Sequence, residues 1–246
     1  MQKIWILLLV LAGLLLSCEK SPLSDCFNST GPITTVEREV DNFNSILLRH
    51  NVNLHLRQAG KNKITVKAGS NLMKKIRTEV NENGQLEIRN DNSCNWVRSF
   101  EIPIDVYLDF VKLDSIEYRS VGDLLSEETL FLDTLKLDVL EGAGKIELQL
   151  NARIIYCGMP NGTADVVLKG FCQISYLYTT GLGRIDNRGL HSKYVYVNNK
   201  SSNDVYLQAT VELGATIESI GNIYYSGNPP VINLNQIGTG KLIKLD

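Results

Sequence analysis

A short run of small residues followed by alternating apolar and polar side chains recurs through the second half of the chain. The first clear copy is GAGKIELQL at residues 142–150. Successive copies lie 18 to 22 residues apart, and their aligned small residues are Gly122, Gly144, Ala164, Gly183, Asn203, Gly221 and Gly240. A repeat of this length and regularity is typical of proteins in which each repeat is one supersecondary unit that stacks on the next.

The repeat length restricts the fold to one class. Twenty residues are too few for a βαβ unit, and the sequence lacks the signatures of leucine-rich and calcium-binding nonapeptide repeats. Two or three short strands with their turns do fit, and they form one coil of a β-solenoid. We therefore expect an all-β protein in which residues 119–246 form a right-handed parallel β-solenoid, resembling a β-helix, with coils of about 20 residues.

An aligned aliphatic position supports this interpretation. The second residue after each aligned small residue is always aliphatic, as an inward-facing column requires: Leu124, Ile146, Val166, Ile185, Val205, Ile223 and Leu242. The residue before it is Asp, Lys, Asp, Arg, Asp, Asn and Lys in successive copies. Like charges directly opposite on neighbouring strands are destabilising. The alternating sign therefore predicts a structural charge ladder, and the glycines are expected to supply backbone freedom at each corner.

Residues 31–118 alternate strongly but do not repeat. Period-two segments, the mark of half-buried strands, lie at 52–58, 63–68, 76–80, 85–89 and 102–108. NENG at residues 81–84 predicts a hairpin, and only residues 70–76 are expected to contain a helical turn. This region is interpreted as a less regular, β-rich N-terminal half that precedes the solenoid.

The start of the chain predicts export and anchoring. An apolar run after Lys3 is too short to span a bilayer, so residues 1–17 fit a signal peptide. LLSC at its end resembles a bacterial lipobox, in which Cys18 is lipidated and residues 18–30 tether the folded part to the membrane. The alternative is an ordinary signal peptide with Cys18 incidental. We expect a membrane-anchored lipoprotein of the cell envelope, in the outer membrane, with either a periplasmic or a surface-exposed face.

Charge and cysteine usage refine the expected environment. Without Lys3, 24 basic residues face 27 acidic ones, so the mature chain carries a net charge of −3 and is not expected to bind nucleic acid. Export permits disulfides. Cys26 precedes the first strand-like segment and Cys94 lies in a polar loop, so we expect a Cys26–Cys94 disulfide. Cys157 and Cys172 lie in apolar strands, where buried free thiols are expected.

The repeated Gly-x-Gly corners, each followed by a polar and an aliphatic residue, resemble the putative auto-transporter adhesin, head GIN domain family of Gram-negative bacteria. GNI at 221–223, Phe43–Ile46 as F-x-x-I, and CNWVRSF at 94–100 carry the same resemblance, which covers about residues 33–246. The copy at Asn203 departs from it by lacking the glycine pair. The resemblance implies an exported β-solenoid of the cell envelope, often a lipoprotein, and its name implies adhesion. It supplies no catalytic residues.

The sequence shows no signature of catalysis or of cofactor binding. His50 and His55 lie around one strand without a third ligand at a recognisable spacing, so no metal site is predicted. Asp123, Asp165 and Asp204 recur on one face, but neighbouring opposite charges offset them. We therefore expect a protein that is not an enzyme and needs no cofactor. A carbohydrate-active β-helix enzyme remains an alternative.

The tyrosines suggest a binding surface. Eight of the ten follow residue 155, and Tyr206 and Tyr224 directly follow the inward aliphatic residue in adjacent repeats. With Tyr225 they form the predicted partner-binding face, which would recognise a glycan or an envelope or host protein. The alternative is that aromatic residues simply favour strands. The corresponding function would be a structural envelope protein without a specific ligand.

Overall fold

The structure is a computed structural model that describes residues 29–93 and 102–246. The predicted signal peptide, the lipidation site Cys18 and the predicted disulfide partners Cys26 and Cys94 lie outside these residues. The strands of the N-terminal region are β1 (Ile33–Arg38), β2 (Ser45–His50), β3 (Asn53–Gln58), β4 (Lys63–Gly69), β5 (Ile76–Val80), β6 (Gln85–Asn90), β7 (Asp105–Phe110), β8 (Ser115–Ser120) and β9 (Leu124–Ser126).

The repeats form longer strands. These are β10 (Leu130–Gly142), β11 (Lys145–Met159), β12 (Asp165–Thr179), β13 (Ile185–Asn199), β14 (Val205–Ile217), β15 (Ile223–Ser226), β16 (Val231–Gln236) and β17 (Leu242–Lys244). The regular structure of the described residues is otherwise limited to one 3-10 turn at Met73–Lys75, inside the segment where a helical turn was expected. The NENG segment joins antiparallel β5 and β6, with Gly84 at a positive φ, as its sequence predicts.

The fold is a parallel β-solenoid of about six turns with coils about 20 residues apart, which confirms the predicted class. Neighbouring coils pair in parallel with a nearly constant offset. Between β11 and β12, for example, the register runs from Lys145 opposite Asp165 to Met159 opposite Thr179. Each coil thus rests on the equivalent residues of the previous one.

The aligned aliphatic positions form the predicted inward column. Adjacent members pair in register through the whole repeat region, from Leu124 opposite Ile146 to Ile223 opposite Leu242. Every member from Leu124 to Ile223 is at most 1% exposed. The column also continues into the N-terminal region, where Leu54 lies opposite both Leu124 and Val106. A single hydrophobic core therefore spans both regions.

The long strands bend around the core. At the bend two successive residues point outward, as with Arg153 and Ile154 between the buried Ala152 and Ile155. The bend divides each coil into two outer surfaces. The first face carries the segments after the glycine corners: β9, the beginnings of β11 to β14, β15 and β17. The second face carries β8, the ends of β10 to β14, and β16.

The glycines are required at the corners because the backbone there approaches the coil below. A Cβ added at Gly144 would lie 2.2 Å from the carbonyl oxygen of Gly122 and 2.3 Å from the Tyr118 hydroxyl. Gly183 and Gly221 have equivalent close contacts. Close approach, rather than the expected freedom in φ, explains these positions. The Asn203 corner lacks the glycine pair and is held by a side-chain hydrogen bond. The backbone N–H of Asn203 donates to Ser201 Oγ at 3.0 Å.

The polar residues at the corners do not form the predicted charge ladder. The carboxylate of Asp123 accepts a hydrogen bond from the backbone N–H of Lys145 at 2.9 Å, and that of Asp204 accepts one from Asn222 at 2.8 Å. The ammonium group of Lys145 instead pairs with Glu147 along its own strand. These short acidic side chains therefore satisfy backbone donors of the next coil, which is a structural role of another kind.

The N-terminal region stacks out of chain order. β2 pairs in parallel with both β6 and β8, and β3 with both β7 and β9. The coil made by β2 and β3 therefore lies between the coil of β6 and β7 and that of β8 and β9. Antiparallel β5, β4 and β1 then cover this end of the solenoid. Out-of-order stacking explains why residues 31–118 show no sequence repeat.

Candidate ligand-binding face

An open groove of about 850 Å³ runs across the second face, over the ends of β11 to β14 and β16. Two neighbouring columns of outward residues line it, and buried residues such as Leu177 and Val197 lie between the columns. Because outward residues on one strand are two positions apart, each coil contributes one residue to each column. The chemistry of the groove is therefore repeated at the spacing of the coils.

The first column contains three stacked tyrosines. Tyr156, Tyr176 and Tyr196 lie opposite one another on β11, β12 and β13. Their ring centroids are 4.9 and 5.4 Å apart, and the rings are close to parallel. Gly214 follows in the next coil, where a Cβ would lie 2.8 Å from Tyr196 Cδ1. The missing side chain therefore makes room for the last ring. We call these three residues the tyrosine stack.

The second column carries Tyr178 next to a glycine. In register, Tyr178 has Gly158 on one side and Asn198 on the other. Lys200, in the coil of Asn198, lies 5.9 Å from the ring centroid. Gly158 adds no side chain on that side, where the next side chain of the column is that of Asp138, with Oδ1 3.3 Å from the position of a Gly158 Cβ, and Tyr178 is 41% exposed. A flat, exposed ring with a polar tip can stack on a ligand ring and hydrogen-bond to it.

Hydrogen bonds and ion pairs fix the polar groups around the groove. Asn198 donates to Glu218 at 3.0 Å, and this bond, followed by the interaction with Lys200, lowers the pKa of Glu218. Asp138 is held by Lys136 at 2.6 Å. Both carboxylates are thus already engaged with protein groups. The remaining groups offer hydroxyl and amide hydrogen bonds, which suit binding rather than bond cleavage.

The predicted face at Tyr206 and Tyr224 lies on the first face instead. The two rings are stacked 4.8 Å apart, as expected for neighbours in adjacent coils. Arg188 lies 4.9 Å from the Tyr206 centroid. A hydrogen bond from Arg188 to Asp186 holds the pKa of that carboxyl below its usual range. The exposed surface here is thus a cation–aromatic cluster.

Tyr225 does not belong to that face. It is 9% exposed and packs in the hydrophobic core, while Tyr224 points outward. Successive side chains of a strand point to opposite sides, so adjacent tyrosines cannot share one surface. Sequence reasoning also missed the tyrosine stack, although its signal was present. Tyr156, Tyr176 and Tyr196 are spaced at the 20-residue period of the coils.

The two described cysteines are buried free thiols, as predicted. Burial raises the pKa of Cys157 to about 12 and that of Cys172 to about 11. A thiol that stays protonated is a poor nucleophile and a poor metal ligand. Both residues therefore act as small apolar side chains of the core.

His55 packs against neighbouring side chains near the surface. His55 Nε2 lies 3.4 Å from Asp105, and its ring stacks on Tyr107 with centroids 4.5 Å apart. Within residues 29–93 and 102–246, no group of three His, Cys, Asp or Glu side chains is placed to hold a metal ion. In the same part of the chain, no helix is long and apolar enough to cross a membrane.

Fold and groove define a class of protein: a stacked β-solenoid with an ordered aromatic groove on one outer surface. Residues 42–229 match the model of the family described as putative auto-transporter adhesin, head GIN domain. The chain belongs to this family, and it is an adhesin-like module. No curated protein sequence matches the chain.

Solved structures share the fold. A putative adhesin from Bacteroides fragilis is 25% identical, with a TM-score of 0.79, over 87% of this chain and 97% of that one. A putative adhesin from Parabacteroides distasonis is 19% identical, with a TM-score of 0.69, over 87% and 98%. A putative lipid binding protein from the same species is 16% identical, with a TM-score of 0.68, over 89% and 98%. The two Parabacteroides structures demonstrate similarity of fold alone.

Proposed function

We propose that the chain is a non-catalytic binding module of the cell envelope, and that the groove on its second face binds a glycan. The observation that carries this proposal is the exposed ring of Tyr178 beside Gly158, next to the tyrosine stack. Pyranose rings present flat patches of C–H groups together with hydroxyls. An aromatic face with hydroxyl and amide neighbours matches both features.

Two features support an adhesive rather than an enzymatic role. The family and the 25% identical neighbour are both described as adhesins. The carboxylates in or beside the groove are engaged by protein groups: Asp138 by Lys136, Glu218 by Lys200 and Asn198, and Glu212 by Asn233. A glycosidase would need two carboxylates free to act on either side of the scissile bond.

A glycan array with paired variants tests the proposed site. The wild-type protein in mild detergent should bind a defined set of glycans, and Tyr178→Ala should weaken that binding by about tenfold, the equivalent of about 1.4 kcal/mol. Tyr206→Ala is the matched control, because it removes a tyrosine from the other stack. Loss of binding with Tyr206→Ala but not with Tyr178→Ala would move the site to the first face. The absence of any glycan binding would favour a structural envelope protein without a ligand.

We also propose that the module is a lipoprotein anchored through Cys18. Two or more acyl chains give stable membrane binding, whereas one is marginal. Metabolic labelling with an alkyne fatty acid should label the wild type and leave Cys18→Ala unlabelled. An unlabelled wild-type protein that begins after Cys18 would instead indicate a secreted module.

The Cys26–Cys94 disulfide remains a proposal of the same kind. In an oxidising compartment it would fasten the segment before β1 to the loop after β6. Peptide mapping under non-reducing conditions should recover the two segments joined. Recovery of both thiols alkylated from the oxidised, folded protein would exclude the bond.

A further inference from the structure

The last coil of the solenoid ends in an open edge. In the described chain, β16 pairs only with β14 and β17 only with β15. All six residues of β16 are exposed. An edge strand of this kind presents unpaired backbone donors and acceptors, and proteins usually protect such edges with charges, prolines or covering segments.

The apolar residues of β16 occupy core positions that lack a cover. Ile232 lies opposite the buried Leu213, and Leu234 lies opposite the buried Ala215. They therefore continue two inward columns of the second face, yet they are 42% and 46% exposed. In every earlier coil another coil covers the equivalent positions. Covering these two side chains would remove apolar surface from water, which is favourable.

The sequence of this edge is self-complementary. Its central part, INL at residues 232–234, is symmetric in polarity about Asn233, whereas Val231 and Asn235 differ. A two-fold axis through Asn233 would place Ile232 of one copy opposite Leu234 of the other, in an antiparallel ladder. Residues 228–240 contain no charged side chain, so two identical edges can approach without like-charge repulsion. The charges of the last coil, such as Lys241 and Lys244, lie on β17 and just before it.

We propose that two copies of this chain associate end to end by antiparallel pairing of their β16 strands. The contact is isologous, since the same edge serves both copies, and it closes after two subunits. The opposite end favours this arrangement over a head-to-tail chain, because its edge strand β1, which in the described residues pairs only with β4, carries the charged residues Glu37 and Arg38. β1 also carries an ion pair between Glu37 and Lys63.

The pairing would extend the second face across both copies. Asn233 is an outward residue opposite Gly214, at the end of the column that contains the tyrosine stack. Strands paired within one sheet keep their outward residues on the same side. The two grooves would then open in one direction, which would make the pair bivalent; this consequence rests on the proposed function.

Cysteine cross-linking in intact cells tests the pairing with the full chain. The proposed axis places residue 233 directly opposite its own copy, where Cα atoms are about 4.5 to 5.5 Å apart and a disulfide can form. Asn233→Cys should therefore give a dimer on a non-reducing gel after mild oxidation. Val231→Cys should not, because the two substituted positions would be about 14 Å apart along the ladder.

Charge variants in the Asn233→Cys background separate this edge from other contacts. Leu234→Lys should reduce the yield of cross-linked dimer at least tenfold, because two ammonium groups would meet at the interface. Phe131→Lys, at a position that is 63% exposed, is the matched control and should leave the yield unchanged. Absence of dimer with Asn233→Cys, or equal yields with Val231→Cys, would overturn the proposal. So would equal losses with both lysine variants.

Discussion

The two described ends of the solenoid are formed by different kinds of strand. At the N-terminal end the inward residues Leu54, Ile64 and Val106 are fully buried, because antiparallel strands continue the sheet beyond the last parallel coil. The outermost strand is nevertheless exposed at both ends: Val36 of β1, opposite the buried Val66, is 38% exposed, and Ile232 and Leu234 of β16 are 42% and 46% exposed. The described N-terminal end consists of antiparallel, non-repeating strands, whereas the described C-terminal end is an ordinary coil of the repeat.

This difference shows what the non-repeating sequence is for. A repeat can only reproduce a surface that needs another repeat to cover it, so a stable terminus requires a different pattern. Residues 31–118 have such a different pattern, whereas β16 and β17 keep the stacking of the repeats. The regularity of the coils and the contrast between the ends can each be tested by substitution.

Placing a charge in the inward column should have the largest effect. Val166→Asp should lower the free energy of unfolding by about 3 to 5 kcal/mol, since the carboxylate would be buried without a partner. Val231→Asp at the open end, where the valine is 44% exposed, should change it by about 0.5 kcal/mol or less. Urea unfolding at low protein concentration measures both. Equal losses would show that a charge is tolerated no better at the exposed, outward position 231 than in the buried column.

Adding a side chain at Gly122, the corner between the N-terminal region and the repeats, should reduce stability by a smaller amount. A Cβ at Gly122 would lie 2.2 Å from the carbonyl oxygen of Val52, so Gly122→Ala should destabilise by about 1 to 3 kcal/mol. Gly60→Ala is the control, because no atom lies within 4 Å of its added Cβ. Thermal unfolding of both proteins provides the comparison. An unchanged midpoint for Gly122→Ala would contradict the close approach of these coils.

Removing a buried hydroxyl at the same junction tests hydrogen bonding. Tyr118 donates to the carbonyl oxygen of Gly122 at 2.7 Å and accepts from the N–H of Gly144 at 3.0 Å. Tyr118→Phe leaves both backbone groups without this partner and should cost about 1 to 3 kcal/mol. Tyr206→Phe, which removes a hydroxyl from the surface, should cost less than a third of that in the same assay. Burial raises the pKa of Tyr118 to about 12, so its hydroxyl stays protonated at pH 10. The difference in stability between the wild type and Tyr118→Phe should therefore persist at that pH.

The smallest expected effect concerns the surface charges of the repeats. Hydrogen bonds from Lys145 and then Lys169 lower the pKa of Glu147 to about 2. Its ionised form therefore contributes stability above the unfolded pKa near 4.5, and this contribution is lost as the pH falls toward 2. Glu147→Gln should cost less than about 1 kcal/mol at pH 7 because the pair is solvent-exposed. A stability difference that does not shrink by pH 2, or in high salt, would contradict this origin.

The repeat region could be predicted from sequence almost residue by residue. Ile146, Val166 and Ile185 were aligned by their spacing alone, because an inward column imposes both the residue type and the period. The strands of the N-terminal region could also be located, since their alternation is local. Their stacking order could not, because nothing in β2 or β6 indicates that these two strands pair with each other.

The candidate site was predicted only in part. Tyr206 and Tyr224 were correctly inferred to be neighbours. The groove, however, depends on glycines, which matter because they have no side chain. Gly158 and Gly214 leave space for rings in adjacent coils, and a sequence does not show which surface such a space faces. The position of the bend in each strand decides this, and it is marked only by two successive outward residues.

The constant 20-residue offset between β11 and β12 has a consequence for the length of the molecule. If residues 145–164 were deleted, Asp165 would take the place of Lys145 and Val166 that of Ile146, with every later pairing kept. Duplicating the same segment would extend the solenoid by about 4.8 Å, the spacing of one strand. The length of the solenoid can therefore change in steps of one coil. Gain or loss of a coil in evolution would move the outermost coil without any change in the sequence of either terminus.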